Sequence, residues 1–263
     1  MHIGLIGQRG SLLGWTREAG LSPVVHAPDA ARRKVLAASG VTVVEAYPEY
    51  LEAMEGPRVY LLDVEPGETV DATIDEAYVT MEPGDVVLDM TGSYWGDTLR
   101  RYRRMRHRSL FYIDLAMVGP TSDRRLLAGG DERAFQVAGP VLDKLAGPSG
   151  LVRSGAAGSA HYALMVADAV RTTVAHALSE AHQLLEAYPS PLEVPEVVAA
   201  LAGPTEPAGT RAPWLLDDAV RLEAAIPLLA QAVMLELGVA LDEHRSEPPP
   251  PRVGGFVHPD DIL

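Results

Sequence analysis

The chain has 263 residues, 47% of them hydrophobic, a formal net charge of -14 and no cysteine. That length and apolar content sustain one large domain or two smaller ones with real cores, and two is the better fit. The acidic balance excludes a protein that wraps nucleic acid, which needs a basic surface to neutralise phosphates, and the missing cysteines exclude disulfides, a thiolate nucleophile and cysteine-ligated zinc, in keeping with a reducing cytoplasm.

From the N-terminus, MHIGLIG reads as a short strand over His2–Ile6 and lacks the charged start, long apolar run and cleavage site of a secretory signal. Further β-branched runs at Ser22–His26, 58–63, 85–89 and 109–113 alternate with amphipathic segments, which predicts a parallel sheet covered by helices. Turn signals at Glu55-Gly56-Pro57 and Glu82-Pro83-Gly84-Asp85 fall where a helix should stop and the next strand begin. A short element at 126–128 leads through Gly129-Gly130-Asp131 into a helix ending near Gly147. From about Gly155 the pattern becomes one long helix, roughly 158–187, with Val166, Val170, Val174, Leu178, Ala181 and Leu185 forming an apolar stripe. It stops at Tyr188-Pro189-Ser190-Pro191. Residues 224–241 carry Pro227, Gln231 and Glu236, so they read as a buried helix and not a membrane span. The proline-rich tail 247–263, with Pro248 to Pro251, is expected to be extended. These signals divide the chain into 1–154 and an all-helical 155–263, without an internal repeat.

A dinucleotide site needs G-x-G-x-x-G between the first strand and first helix, so that the backbone approaches the pyrophosphate and a helix N-terminus faces its charge. The segment Gly7-Gln8-Arg9-Gly10-Ser11-Leu12-Leu13-Gly14 supplies the first glycine but not the following spacing, and is about three residues short. Gly7, Gln8, Arg9 and Gly10 are the candidate pyrophosphate contacts. After the second strand, Asp29 is either a displaced ribose ligand or the cap of a helix starting near Ala30. Arg32 and Arg33 either meet a 2′-phosphate or lie on that helix's solvated face.

Four blocks occur in a familiar order: GLIG at 4–7, VEPGETVDATID at 64–75, EPGDVVLDMTGSYWGDTLRR at 82–101, and Gly158-Ser159-Ala160-His161-Tyr162-Ala163-Leu164-Met165-Val166-Ala167-Asp168. Together they resemble 6-phosphogluconate dehydrogenase of the short bacterial type, and more loosely the β-hydroxyacid dehydrogenases, from Met1 to about Glu180 with a weaker match around Trp214 to Asp217. The resemblance implies a Rossmann-like doubly wound sheet followed by a helical domain that builds a homodimer interface, with NADP or NAD as cofactor and Val64 and Gly92 among its contacts. It also implies a lost active site. The family's catalytic lysine matches Leu164, its asparagine one turn later Asp168, and its histidine, acidic residue and tyrosine match Ala167, Arg171 and Thr172. Its asparagine-serine pair matches Gly92-Ser93, its serine-glycine-glycine turn Val118-Gly119-Pro120, and its phosphate-binding arginine Ala212, beside Arg211. The only lysines, Lys34 and Lys144, lie elsewhere. A 6-phosphogluconate phosphate and carboxylate would lack partners, and burying unpaired charge is costly.

His161, Leu164, Met165 and Asp168 share one helical face. An aspartate there can act as base with His161 or Tyr162 as proton donor, so Asp168, His161, Tyr162 and Ser93 are the candidate catalytic residues. Three of them have a structural alternative: packing for His161, pairing with Arg171 or Thr172 for Asp168, and a helix cap for Ser93. The basic run from Arg100 to Arg108 reads as a solvated face, and His176 and His182 lack ligand spacing, so no metal is expected. Two functions remain open. One is an NAD(P)-dependent oxidoreductase on a small carbonyl, hydroxy-acid or imine compound. The other is a cofactor-independent acid/base enzyme or a catalytically silent binding subunit.

Overall fold

The computed structural model describes residues 1–7, 12–119, 125–186, 193–197, 213–214, 216–217 and 230–235. Gln8, Arg9 and Gly10, Ala212 and the tail 247–263 lie outside the described residues. Eight strands form one sheet: β1 (His2–Ile6), β2 (Ser22–His26), β3 (Thr42–Val44), β4 (Val59–Leu62), β5 (Val86–Asp89), β6 (Phe111–Val118), β7 (Arg125–Gly129) and β8 (Leu151–Gly155), in the order 3-2-1-4-5-6-7-8. β1 pairs parallel with β2 and β4, β2 with β3, β4 with β5, β5 with β6, and β7 with β8. The order 3-2-1-4-5-6 is that of a doubly wound nucleotide-binding sheet. The connecting helices are α1 (Leu12–Glu18), α2 (Ala30–Ala38), α3 (Tyr50–Ala53), α4 (Glu68–Tyr78), α5 (Trp95–Arg106) and α6 (Glu132–Ala146), and α7 (Ser159–Glu186) follows β8.

The central strands are buried on both faces, which is why they read as continuous apolar runs. On one face Ile3, Leu5, Leu61, Val86, Leu88 and Ile113 join a core with Ala134, Phe135, Ala138, Val141 and Leu142 of α6, each large side chain contributing about 2 kcal/mol by leaving water. The indole of Trp15 in α1 donates to the Leu145 carbonyl at 3.2 Å, tying α1 to α6 on that side. Strand alternation sends Tyr60, Val87, Tyr112 and the buried carboxylates Asp89 and Asp114 to the other face.

Three strand features differ from expectation. β3 is only three residues long, too short to show a period, and β8 is an edge strand whose Val152, Arg153 and Ser154 resemble a polar loop. β6 runs past Ile113 to Val118 because Asp114, which reads as a strand end, is an interior strand residue with its charge fully buried.

The chain divides into two compact units. The first holds Met1–Met117 and Arg125–Ala163, and the second holds the described residues from Leu164 onward with Val118 and Gly119, so the division falls within α7. In the second unit, residues 194–197 and 230–235 are helical, and Trp214, Ala232 and Val233 are buried. No helix among the described residues is long and apolar enough to cross a membrane.

Candidate functional site

The strand order reverses between β1 and β4, and ligands of open α/β sheets bind outside the carboxyl ends of the strands at such a point. Gly7 stands there with φ of 82°, and a side-chain carbon on it would overlap the Asp63 carbonyl and the Val64 side chain. Only glycine allows this turn. The position of Gly7 fits the first glycine of a dinucleotide loop, and the half-exposed Val64 lies against it at the end of β4. At the end of β2, Asp29 is exposed and caps α2, its Oδ1 accepting from the Arg32 N–H at 2.8 Å. Arg33 turns back from α2. Its Nη1 donates to the Ala27 and Pro28 carbonyls at 3.1 and 2.6 Å, and its Nη2 lies 3.0 Å from Glu45 Oε2.

Beyond the ends of β5 and β6 lies a buried polar layer. Arg101 of α5 is 1% exposed and donates through Nε and Nη2 to the two Asp71 carboxylate oxygens at 3.1 and 3.0 Å, through Nη1 to Ser93 Oγ at 2.9 Å, and through Nη2 to the Gly67 carbonyl. Ser93 also shares a hydrogen bond of 2.6 Å with Thr91 Oγ1. It does not cap α5, whose start at Tyr94 has no side-chain cap. Tyr112 donates to Asp89 Oδ2 at 2.5 Å, and Asp89 Oδ1 accepts from the Thr91 N–H. Burial pushes the Tyr112 phenol well above its ordinary range, so it serves as a neutral donor. Burial opposes the Arg101 charge, but Tyr112, Asp71 and Asp89 outweigh it and keep the guanidinium protonated.

The same layer anchors the start of α7. Asp114 accepts from the N–H groups of Gly158, Ala160 and His161 at 2.6, 2.8 and 2.9 Å, so a carboxylate from the sheet satisfies the helix's first donors. Gly129 makes room: a side chain there would approach Ser159 Oγ, the Ala156 carbonyl and Asp114 Oδ1 to 2.5, 2.7 and 2.8 Å. His161 is 2% exposed, its Nδ1 2.7 Å from Thr98 Oγ1 and its Nε2 3.1 Å from the Asp89 carbonyl. A carbonyl only accepts, so Nε2 carries a proton, and both ring nitrogens are engaged by the scaffold.

Tyr162 is half-buried with its ring edge-on to Trp95, centroids 5.8 Å apart. Further along α7, in the second unit, Leu164 is half-buried and Asp168 is 1% exposed, its Oδ1 accepting from Arg171 Nη1 at 2.9 Å while Thr172 Oγ1 donates to its carbonyl. Lys144 bonds the Gly20 carbonyl from α6. Much of the basic run is engaged within the first unit: Arg100 grips Asp71, Arg104 pairs with Asp75, and Arg104 and Arg108 lie over the Tyr78 ring. Among the described residues no group of three acidic or histidine side chains is placed to hold a metal.

Sequence reasoning missed Arg101, Asp71, Asp89, Tyr112 and Asp114. The signal for Arg101 was its spacing: Thr98, Arg101, Tyr102 and Met105 recur at helical period on the buried stripe of α5, while the other arginines of the run fall off it.

A family model described as the NAD binding domain of 6-phosphogluconate dehydrogenase matches residues 3–158. The decarboxylating 6-phosphogluconate dehydrogenase of Bacillus licheniformis is 29% identical over 145 residues, 52% of this chain, and the match spans only 31% of that enzyme. The fold is that of 3-hydroxyisobutyrate dehydrogenase from Salmonella typhimurium, at TM-score 0.73 and 20% identity over 94% of this chain and 97% of the other. It is also that of an imine reductase variant from Myxococcus stipitatus in complex with NAD+, at TM-score 0.58 and 14% identity over 93% and 77% of the two chains. With more than half of its length matched by that model, the chain belongs to the family of the NAD binding domain of 6-phosphogluconate dehydrogenase.

Proposed function

We propose that the protein is an NAD(P)-dependent oxidoreductase acting on a small carbonyl, hydroxy-acid or imine compound other than 6-phosphogluconate. The observation that carries this reading is the glycine-only turn of Gly7 against Asp63 and Val64, retained at the sheet's switch point, in a chain whose α7 has Leu164 at the position of the family's lysine. When bound, the nicotinamide cofactor supplies or accepts the hydride. The backbone around Gly7 would hold its pyrophosphate, and Val64 and Gly92 would border it. With both His161 ring nitrogens occupied, the proton falls to Asp168 or Tyr162, since leucine cannot transfer one. Gly92 and Leu164 leave a sugar-phosphate acid without the amide and ammonium that would bind it. The fold's occurrence in a hydroxy-acid dehydrogenase and an imine reductase supports the substrate classes named.

The deciding experiment is calorimetric titration with NADH and NADPH, followed by turnover assays on short 2- and 3-hydroxy acids, their oxo forms and cyclic imines. Micromolar binding of either nucleotide and turnover of one class are expected; no binding at millimolar concentration ends the proposal. The absent lysine favours a second reading, a binding subunit that kept the nucleotide and lost the chemistry, for which binding without any turnover would speak. The same proposal makes the protein a cytoplasmic homodimer joined through the helical unit, supported by the exposed Val170 and Val174 on the α7 stripe. Sedimentation equilibrium of the full chain tests the dimer.

A further inference from the structure

We infer that this chain selects NAD(H) and rejects NADP(H), because Arg33, which the sequence offers to a 2′-phosphate, is already committed to the protein and stands among carboxylates. The inference rests on the nucleotide reading above and specifies it. In doubly wound folds the residues just past the second strand decide between a ribose hydroxyl and a 2′-phosphate, an acid favouring the first and an arginine the second. Here Arg33 is three-quarters buried and makes three contacts to the protein itself, to the Ala27 and Pro28 carbonyls and to Glu45. A phosphate would have to compete with Glu45 at Nη2 or reach only the donors that these contacts leave.

The surroundings oppose a dianion as well. Glu49 bonds the N–H groups of Glu45 and Ala46 through its two carboxylate oxygens, which fixes its charge at the end of β3. His26, the last residue of β2, stacks on Tyr47 with centroids 4.1 Å apart. Glu76 of α4 acts electrostatically on both rings. Burial depresses the His26 pKa below its ordinary value, so His26 adds no cation at neutral pH. Asp29, Glu45, Glu49 and Glu76 thus outnumber Arg32 and Arg33 around this strand end. Like charges brought together at a binding surface penalise the wrong partner, and salt screens the penalty.

Calorimetry with the full chain at low and moderate salt tests this. NADH should bind about tenfold or more tighter than NADPH, with the gap narrowing as salt rises. Glu45→Gln, which removes the charge holding Arg33, should tighten NADPH about threefold or more and leave NADH unchanged. Arg32→Ala should weaken the two nucleotides equally. Equal or tighter NADPH binding in the parent, an unimproved Glu45→Gln, or a selective NADPH loss in Arg32→Ala overturns the selectivity while leaving the oxidoreductase reading intact. Failure of both nucleotides to bind removes that reading and this one with it.

Discussion

Asp89 and Asp114 are register partners on adjacent parallel strands, both fully buried on the same face of the sheet, yet their surroundings push them in opposite directions. For Asp89, burial opposes the charge, but His161, Arg101, the Thr91 side chain and Tyr112 together hold its pKa below the ordinary carboxylate value. For Asp114, burial dominates and raises the pKa against the stabilising pull of His161 and the α7 N–H groups. One carboxylate anchors side chains and the other caps a helix, so the two charges are divided between tasks. Asp114→Ala deprives three buried N–H donors of their acceptor and should destabilise the first unit by roughly 3 kcal/mol, partly offset by relief of repulsion from Asp89. Urea denaturation followed by circular dichroism checks this, and an unmoved midpoint would show that the cap is dispensable.

Gly129 tests the same junction by volume. A methyl group there meets Ser159, Ala156 and Asp114 at distances that ordinary side chains do not tolerate. All three neighbours are backbone or pinned by hydrogen bonds, so they cannot move aside cheaply. Gly129→Ala should cost about 2 kcal/mol or more. Thermal unfolding measures it, and a melting temperature equal to the parent's would mean that α7 docks with slack.

Arg101 joins the 63–67 turn, through Gly67, to the Ser93 turn by way of Asp71. A lysine carries the charge but lacks the fork that meets both Asp71 oxygens, Ser93 and a carbonyl at once. Arg101→Lys should therefore destabilise by about 2 kcal/mol, and Arg101→Ala, which leaves Asp71 to Arg100 alone and Ser93 to Thr91 alone, by roughly 3 kcal/mol. Parallel urea titrations of the two variants rank them; a lysine variant as stable as the parent would reduce Arg101 to a point charge.

Acid should weaken this layer through Asp71. Burial raises the Asp71 pKa, but hydrogen bonds from Arg101 and Arg100 outweigh it and hold the folded value below the ordinary 3.8. A carboxylate depressed in the folded state contributes stability that is fully present above 3.8 and lost as pH falls through its lowered value. Stability should thus decline below about pH 3.8, and Asp71→Asn, less stable at neutral pH, should show a flatter acid limb. Urea midpoints between pH 2 and 7 supply the comparison. Parallel acid limbs in parent and variant would remove Asp71 from the account.

The sheet was legible because its central strands are buried on both faces, so Val59–Leu62 and Val86–Asp89 stand out as apolar runs between turn signals. β3 and β8 were not, since a three-residue strand and a polar edge strand carry no usable period. The α7 candidates came from the family resemblance and helical spacing, but their partners did not, because His161 is engaged by Thr98 and the Asp89 carbonyl from segments 63 and 72 residues away. Ser93 shows the limit most plainly. Its place before α5 suggests a cap, and only the fold reveals that a buried arginine eight residues on claims its hydroxyl.

Asp168 is one of the two residues proposed to carry the proton. Its carboxylate is buried with Arg171 one turn away on the same helix, an arrangement that serves structure and acid/base chemistry equally well. Asp168→Asn separates them, because the amide oxygen can still accept from Arg171 while the side chain can no longer take a proton at neutral pH. If Asp168 carries the proton, turnover of whichever hydroxy acid, carbonyl or imine is found should fall about a hundredfold or more, with nucleotide affinity and melting temperature nearly unchanged. A variant that loses stability and nucleotide affinity in step with turnover, keeping the parent's pH profile, would assign Asp168 to the helix and leave the proton to Tyr162.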